Sequence, residues 1–226
     1  MNEIDYKIHI DKVIERIEKA RISVSEHHIV KIVAVSKYSD TDAIRALYNI
    51  GQRAFGENKV QDLASKSEML EELPLEWHFI GNLQKNKINQ LIALNPFLFQ
   101  SLDSLELAEA LQQRLLNRGD YTMECLLQIN TAKEETKSGV MPEKARDIYQ
   151  QISESCPNIK LKGVMTIGAH TDDESAIRDS FTQTRKIFDG LTGATICSMG
   201  MSGDFEMAIE CGSNMVRLGS IMFPEA

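Results

Sequence analysis

Lys31-Ile32-Val33-Ala34-Val35-Ser36-Lys37-Tyr38 is the stretch whose reading decides the fold. Ile32 to Val35 is a run of β-branched and small residues, the pattern of a strand buried on both faces in a parallel sheet. Lys37 then stands at the rim where the strand ends, which is where α/β folds place their chemistry. Two readings of Lys37 are open. It is a solvated charge capping a strand, the common fate of a lysine, or an amine kept for Schiff-base chemistry with an aldehyde.

Outward from that stretch, strand and helix patterns alternate. Before it, Ile10, Val13, Ile14 and Ile17 recur at helical spacing within an opening helix over residues 4–26. After it, Ala43, Ala46, Leu47 and Ile50 mark a helix closed by Gly51. Residues 53–58 read as a short strand entering a turn, and Asn58 with Gln61 resembles a capping box for the next helix. Further strands are expected over 77–81, 96–101, 122–129, 160–166, 194–199 and 214–218. Between them lie helices carrying Ile88, Leu91 and Ile92; Leu107, Leu111 and Leu115, opened by Asp103 with Glu106; residues from Pro142 to Ile152; residues 172–189; and a short one over 204–210. Eight strands separated by seven helices is the count of a TIM-type (β/α)8 barrel. Few residues follow the last strand, so the opening helix is expected to cover the place of the eighth. The absence of linkers, repeats and composition shifts predicts one domain over residues 1–226.

Composition narrows the function classes. A 226-residue chain with 42% hydrophobic and 26% charged residues is that of a globular protein. The formal net charge of −8 and the lack of a lysine/arginine block argue against a nucleic-acid or anionic-membrane surface. No apolar run approaches the ~20 residues that span a bilayer, and the acidic start Met1-Asn2-Glu3-Ile4-Asp5 is unlike a signal peptide. A cytoplasmic protein is expected. Cys125, Cys156, Cys197 and Cys211 show no metal-ligand spacing, and Cys125 and Cys197 sit in strand-like runs as buried thiols. His27 and His28 read as a solvated helix end, and no metal is expected.

In a barrel of this kind, the ligand lies at the C-terminal ends of the strands. The residues arriving there are Lys37, Gly56-Glu57-Asn58, Gly81-Asn82, Met165-Thr166, the segment from Ser198 to Gly203, and Arg217-Leu218-Gly219-Ser220. Loops after strands 7 and 8 recur as a phosphate site. Here they offer glycines, the hydroxyls of Ser198, Ser202 and Ser220, and an arginine. Closure sets strand 8 beside strand 1, so a phosphate held there lies one strand from Lys37. A phosphorylated aldehyde fits, and pyridoxal phosphate is the obvious one. Blander readings stand beside this one. The glycines are common turn residues, Ser202 is a candidate cap for the helix near Asp204, Asp204 and Glu206 oppose an anion at that helix start, and His78 is a packed strand residue.

Several motifs together resemble the pyridoxal phosphate homeostasis proteins, whose fold is that of the barrel half of alanine racemase. They are Ala34-Val35-Ser36-Lys37, the run from Phe55 to Gln61, the run from Trp77 to Lys87, Lys137-Ser138-Gly139, Gly163-Val164-Met165, the run from Gly200 to Glu206, the run from Ala208 to Ser213, and the run from Met215 to Ser220. The resemblance spans residues 30–220 in the family's order. It implies a fold-type III barrel lacking the C-terminal β domain of the racemases, with pyridoxal phosphate bound to Lys37 as a Schiff base. It implies further that Ser202, Gly219 and Ser220 receive the phosphate, that Arg217 lies close to the cofactor and that Asn58 flanks the ring. The implied role is cofactor homeostasis and balance of amino and keto acid pools without turnover, in a monomer that delivers to cofactor-requiring apo-enzymes. A racemase or decarboxylase is the alternative, with Tyr38, His78 and Lys137 as candidate second bases. A barrel acting on phosphorylated sugars, with Lys37 as an aldolase-type base, is the third. One departure stands out. The family's Phe-Gly-x-Arg ending is replaced by Phe223-Pro224-Glu225-Ala226.

Overall fold

The computed structural model describes residues 3–119, 121–132, 138–169 and 171–223. The elements alternate as α1 (Glu3–Val24), β1 (Lys31–Val35), α2 (Thr41–Asn49), β2 (Ala54–Glu57), α3 (Val60–Met69) and β3 (Glu76–Phe79). They continue as α4 (Ile88–Leu94), β4 (Leu98–Leu102), α5 (Leu105–Leu116), β5 (Met123–Ile129), α6 (Ala145–Ser155) and β6 (Ile159–Thr166). The chain closes with α7 (Glu174–Asp189), β7 (Ile196–Ser198), α8 (Phe205–Glu210) and β8 (Met215–Leu218). The strands form a closed barrel in sequence order, every neighbouring pair parallel. β8 pairs with β1 from Lys31↔Met215 to Ala34↔Leu218, as closure requires.

Alternation along each strand sorts side chains between two cores. Val33 packs inside the barrel with Ala54, Leu98, Leu126, Met165 and Met215. Ala34 faces outward against Ile44 and Leu47, the buried stripe of α2. Each such aliphatic side chain removed from water stabilises the fold by roughly 1.5–3 kcal/mol. α1 fills the place of the missing eighth outer helix, between α8 and α2. It is fixed there by the Arg16–Glu206 ion pair, by Arg16 lying 4.7 Å from the Phe205 ring centroid, and by His9 against the Ile221 carbonyl. No helix among the described residues is long and apolar enough to cross a membrane.

The helix ends hold most of the differences from sequence. Ile50 is the C-cap of α2, and Gly51 follows it at φ +111°, a conformation that glycine adopts without strain. The Asn58–Gln61 capping box does not form. α3 starts two residues after Asn58, and its N-cap is Lys59, which makes no side-chain cap bond. Ser104 rather than Asp103 caps α5, accepting from the Leu107 amide. His28 is not a bare solvated end, because Nε2 lies 2.8 Å from the Ser213 carbonyl oxygen and joins the α1–β1 turn to the start of β8. Cys125 and Cys197 are buried as expected, and burial pushes the Cys197 thiol up to about 12.

Candidate functional site

β1 delivers Lys37 from the barrel wall. Val33 faces the interior and Val35 lines the space above it, so Lys37, two residues on, continues that inward series. It lies in the turn after the strand, where the Ser36 amide donates to the Gly56 carbonyl at 3.0 Å and the Ser39 amide donates to the Ser36 carbonyl at 2.9 Å. Lys37 is half-buried. Among the described residues no carboxylate pairs with its amine; Nζ sits 4.8 Å from the centroid of the Tyr38 ring.

Lys37 opens on a cavity of about 990 Å³ at the C-terminal ends of the strands. Asn58, Ser202, Arg217, Gly219 and Ser220 line the same cavity, with Val35, Ile80, Met165, Ile167 and Met201 as apolar wall. Six of the seven residues singled out by sequence are thus brought together. Ser198 is not among the lining residues. It is buried in the barrel interior, where its hydroxyl donates to Gln100 Oε1 at 2.8 Å and accepts from Arg217 Nη1 at 2.6 Å.

That contact belongs to a chain whose direction is fixed by Arg217, which can only donate. Because Ser198 accepts from the guanidinium and passes its own proton to Gln100 Oε1, the Gln100 amide nitrogen is left to donate to His78 Nδ1, at 2.9 Å. His78 therefore carries its proton on Nε2, which has no hydrogen-bond partner among the described residues. Burial, with a smaller contribution from Lys31, pulls His78 down to about 3, so the ring is neutral at pH 7. Arg217 Nη2 donates to the Thr166 carbonyl at 2.7 Å. Burial pushes the guanidinium down to about 10, against the opposing influence of Asp204 and then Cys197. It stays charged, and no described carboxylate lies within ion-pair distance of it. A buried cation with no carboxylate in contact is costly, so on a cavity wall it is suited to an anionic or strongly accepting ligand.

The loops after β7 and β8 are tied together at the cavity's other side. Ser202 Oγ accepts from the Gly219 amide at 3.1 Å. Ser202 is thus not the cap of α8; Asp204 holds that position without a cap bond and accepts from the Met201 amide at 2.6 Å. Burial raises the Asp204 carboxyl pKa, against the lowering effect of that amide and of Arg217. Glu206 is drawn away to Arg16. Two glycines are required by geometry. Gly200 has φ +94°, and a Cβ there would stand 2.7 Å from Ala208 Cβ. At Gly81 a Cβ would stand 1.9 Å from the Asn58 carbonyl oxygen, so the bare glycine lets the segment after β3 lie directly against the backbone of Asn58.

Of the candidate second bases, His78 lies in the barrel interior, outside the cavity lining, whereas Tyr38 lines the cavity at its rim with 90% of its surface exposed. Lys137 lies outside the described residues, as do residues 224–226 of the altered ending; Phe223 lines the cavity. Sequence reasoning missed Ile167, Phe223 and Gln100. Gln100 alone carried a signal, an amide inside the otherwise apolar run Leu98-Phe99-Gln100.

A family model described as alanine racemase, N-terminal domain, matches residues 8–225. A pyridoxal phosphate homeostasis protein of Helicobacter pylori is 58% identical over 222 residues, which cover 98% of this chain and 100% of that one. Among solved structures, an unknown protein from Bifidobacterium adolescentis superposes with a TM-score of 0.91 at 34% identity, over 98% of this chain and 95% of that one. PipY of Synechococcus elongatus, solved with pyridoxal phosphate bound, superposes with a TM-score of 0.78 at 31% identity, over 92% and 99% of the two chains.

Proposed function

The chain belongs to the pyridoxal phosphate homeostasis proteins, within the alanine racemase N-terminal domain family, and from that premise we propose that it holds pyridoxal phosphate on Lys37 and keeps the cofactor pool balanced. The observation that carries the reading is the placing of two basic side chains on one cavity, neither with a described carboxylate within ion-pair distance. Lys37 offers an amine and Arg217 a buried guanidinium, while the hydroxyls of Ser202 and Ser220 and the backbone at Gly219 border the same space. The residues fit the cofactor. A phosphate would lie between the β7 and β8 loops, and an acceptor on the ring would meet the donors of Arg217. When bound, the cofactor supplies an aldehyde, with which the Lys37 amine condenses, releasing one water.

Holding rather than turnover is the role these residues support. An arginine does not readily give up its proton, so facing the ring nitrogen it would leave the ring a poor electron sink. His78 is neutral and sequestered, and Tyr38 points a solvated ring over the rim. In this reading the chain is a cytoplasmic monomer that stores the cofactor, delivers it to apo-enzymes and thereby buffers amino and keto acid pools. Visible absorbance should appear on adding pyridoxal phosphate, be lost with borohydride, and leave a reduced adduct that peptide mapping assigns to Lys37. Lys37→Ala should abolish it. An adduct mapped elsewhere overturns the site, and robust racemase or decarboxylase turnover overturns the role. Deletion of the gene should shift free cofactor and its phosphorylated precursor.

A further inference from the structure

Ser36, the residue before Lys37, is held at its amide, its hydroxyl and its carbonyl, the last also accepting from the Ser39 amide. Its amide donates to the Gly56 carbonyl at 3.0 Å, its hydroxyl donates to Glu57 Oε1 at 2.6 Å, and its carbonyl accepts from Lys66 Nζ at 2.7 Å. The same Lys66 ammonium donates to Glu57 Oε1 at 2.7 Å, which closes the set into a ring of Ser36, Glu57 and Lys66. Glu57 is wholly buried, and the Lys66 side chain is 14% exposed. The second carboxylate oxygen, Oε2, is buried with no hydrogen-bond partner among the described residues.

As a stabilising device this arrangement is poor. A buried ion pair loses in desolvation much of what it gains in attraction, and apolar residues of similar volume would serve stability as well. Leaving one carboxylate oxygen unsatisfied makes the balance worse. What the arrangement does achieve is placement. It joins the end of β1, the end of β2 and the body of α3 at the two residues that precede Lys37 and Asn58 in the chain, and both of those line the cavity.

We propose that Glu57 and Lys66 are positioning residues for Lys37: a buried clamp that fixes the Ser36 peptide and so holds the Lys37 amine at one place above the cavity. This rests on the reading of Lys37 as the covalent site. A clamp of this kind acts on bond formation, which depends steeply on where the amine stands. It has little influence on a ligand held only by the β7 and β8 loops and Arg217.

Two probes separate those effects: pyridoxal phosphate, which condenses with Lys37, and pyridoxine phosphate, an alcohol that cannot. Lys66→Met alone strands the Glu57 carboxylate and is expected to lower the melting temperature. The double variant Glu57→Gln/Lys66→Met removes both charges, keeps an acceptor for the Ser36 hydroxyl, and should recover that stability. In the double variant, affinity for pyridoxal phosphate and borohydride-trapped occupancy of Lys37 should still fall about tenfold or more. Affinity for pyridoxine phosphate should stay within about twofold of the parent's. Lys66→Arg, which retains the charge and donors, should keep most of the occupancy. Equal weakening of both probes, or undiminished trapping in the double variant, overturns the clamp. Absence of a Lys37 adduct in the parent protein itself overturns the reading of Lys37, and the clamp with it.

Discussion

The two ends of β1 carry the same residue type in opposite circumstances. Lys31, at the N-terminal end, is paired with Glu76 and lies 4.5 Å from the centroid of the Phe97 ring. Lys37, beyond the C-terminal end, has no described carboxylate partner. The contrast extends to the adjoining strand, because Arg217 of β8, buried and charged, also lacks one. Charges at the N-terminal end are neutralised by the protein itself. At the C-terminal end Lys66 is likewise paired, with Glu57, whereas the two basic groups that line the cavity, Lys37 and Arg217, have no carboxylate within ion-pair distance among the described residues. That difference, more than the presence of a lysine at a strand end, favours the reading of Lys37 as an amine kept for a ligand.

The sharpest way to break the comparison is to remove the buried charge of Arg217. Arg217→Met takes a cation out of the barrel that has no carboxylate within ion-pair distance among the described residues. Affinity for pyridoxal phosphate should fall by about tenfold to a hundredfold, because truncating one side of a buried charged contact is expensive. Stability toward urea should fall by no more than about 1–3 kcal/mol, because relief from burying a cation is set against two buried acceptors that lose their donor. Lost stability with unchanged affinity would mean that Arg217 is a structural strut and that the two ends of β1 do not differ in kind.

His78 tests the interior that joins the two ends. In the folded protein it takes no proton until about pH 3, whereas in the unfolded chain it titrates near 6.5. Between those values the unfolded state binds more protons, so the contribution to stability is whole above pH 6.5 and is lost as pH falls toward 3. From pH 7 to 5, above the range of ordinary carboxylates, the loss from this group should be about 2 kcal/mol. Denaturant unfolding at the two values should show it, and His78→Gln should remove that part of the slope. A parent protein equally stable at both pH values would place the imidazole in contact with water.

The alternation from α1 to β8 was legible because an apolar run bounded by turn residues has few other readings, and barrel closure followed from counting. The cavity was legible for the same reason: residues two positions beyond a strand have only one end of the barrel to occupy. Ser198 shows where this logic stops. It is the last residue of a three-residue strand, and no local pattern states whether such a residue lines the cavity or turns into the core toward Gln100, which is 98 positions away. Asn58 shows a second limit. Its spacing to Gln61 suits a capping box, but the segment after β3 lies against its backbone at Gly81 and the helix begins after it. The Glu57–Lys66 pair shows a third, because a strand end and a helix interior nine residues apart obey no periodicity.

The smallest effect belongs to the satisfied end. Lys31 and Glu76 leave 37% and 34% of their side chains exposed, and a pair so open to solvent contributes on the order of 1 kcal/mol or less. Lys31→Met should therefore change stability at pH 7 by no more than about that amount and leave pyridoxal phosphate binding untouched. It should also leave a trace in the interior. Lys31 is the lesser of the two causes that hold His78 down, burial being the greater. Its removal should raise the His78 pKa slightly and narrow the interval over which acid destabilises the fold, a change readable as a shallower loss of stability toward pH 4. Loss of ligand affinity in Lys31→Met would join the two ends of β1 into one electrostatic unit and undo the distinction between them.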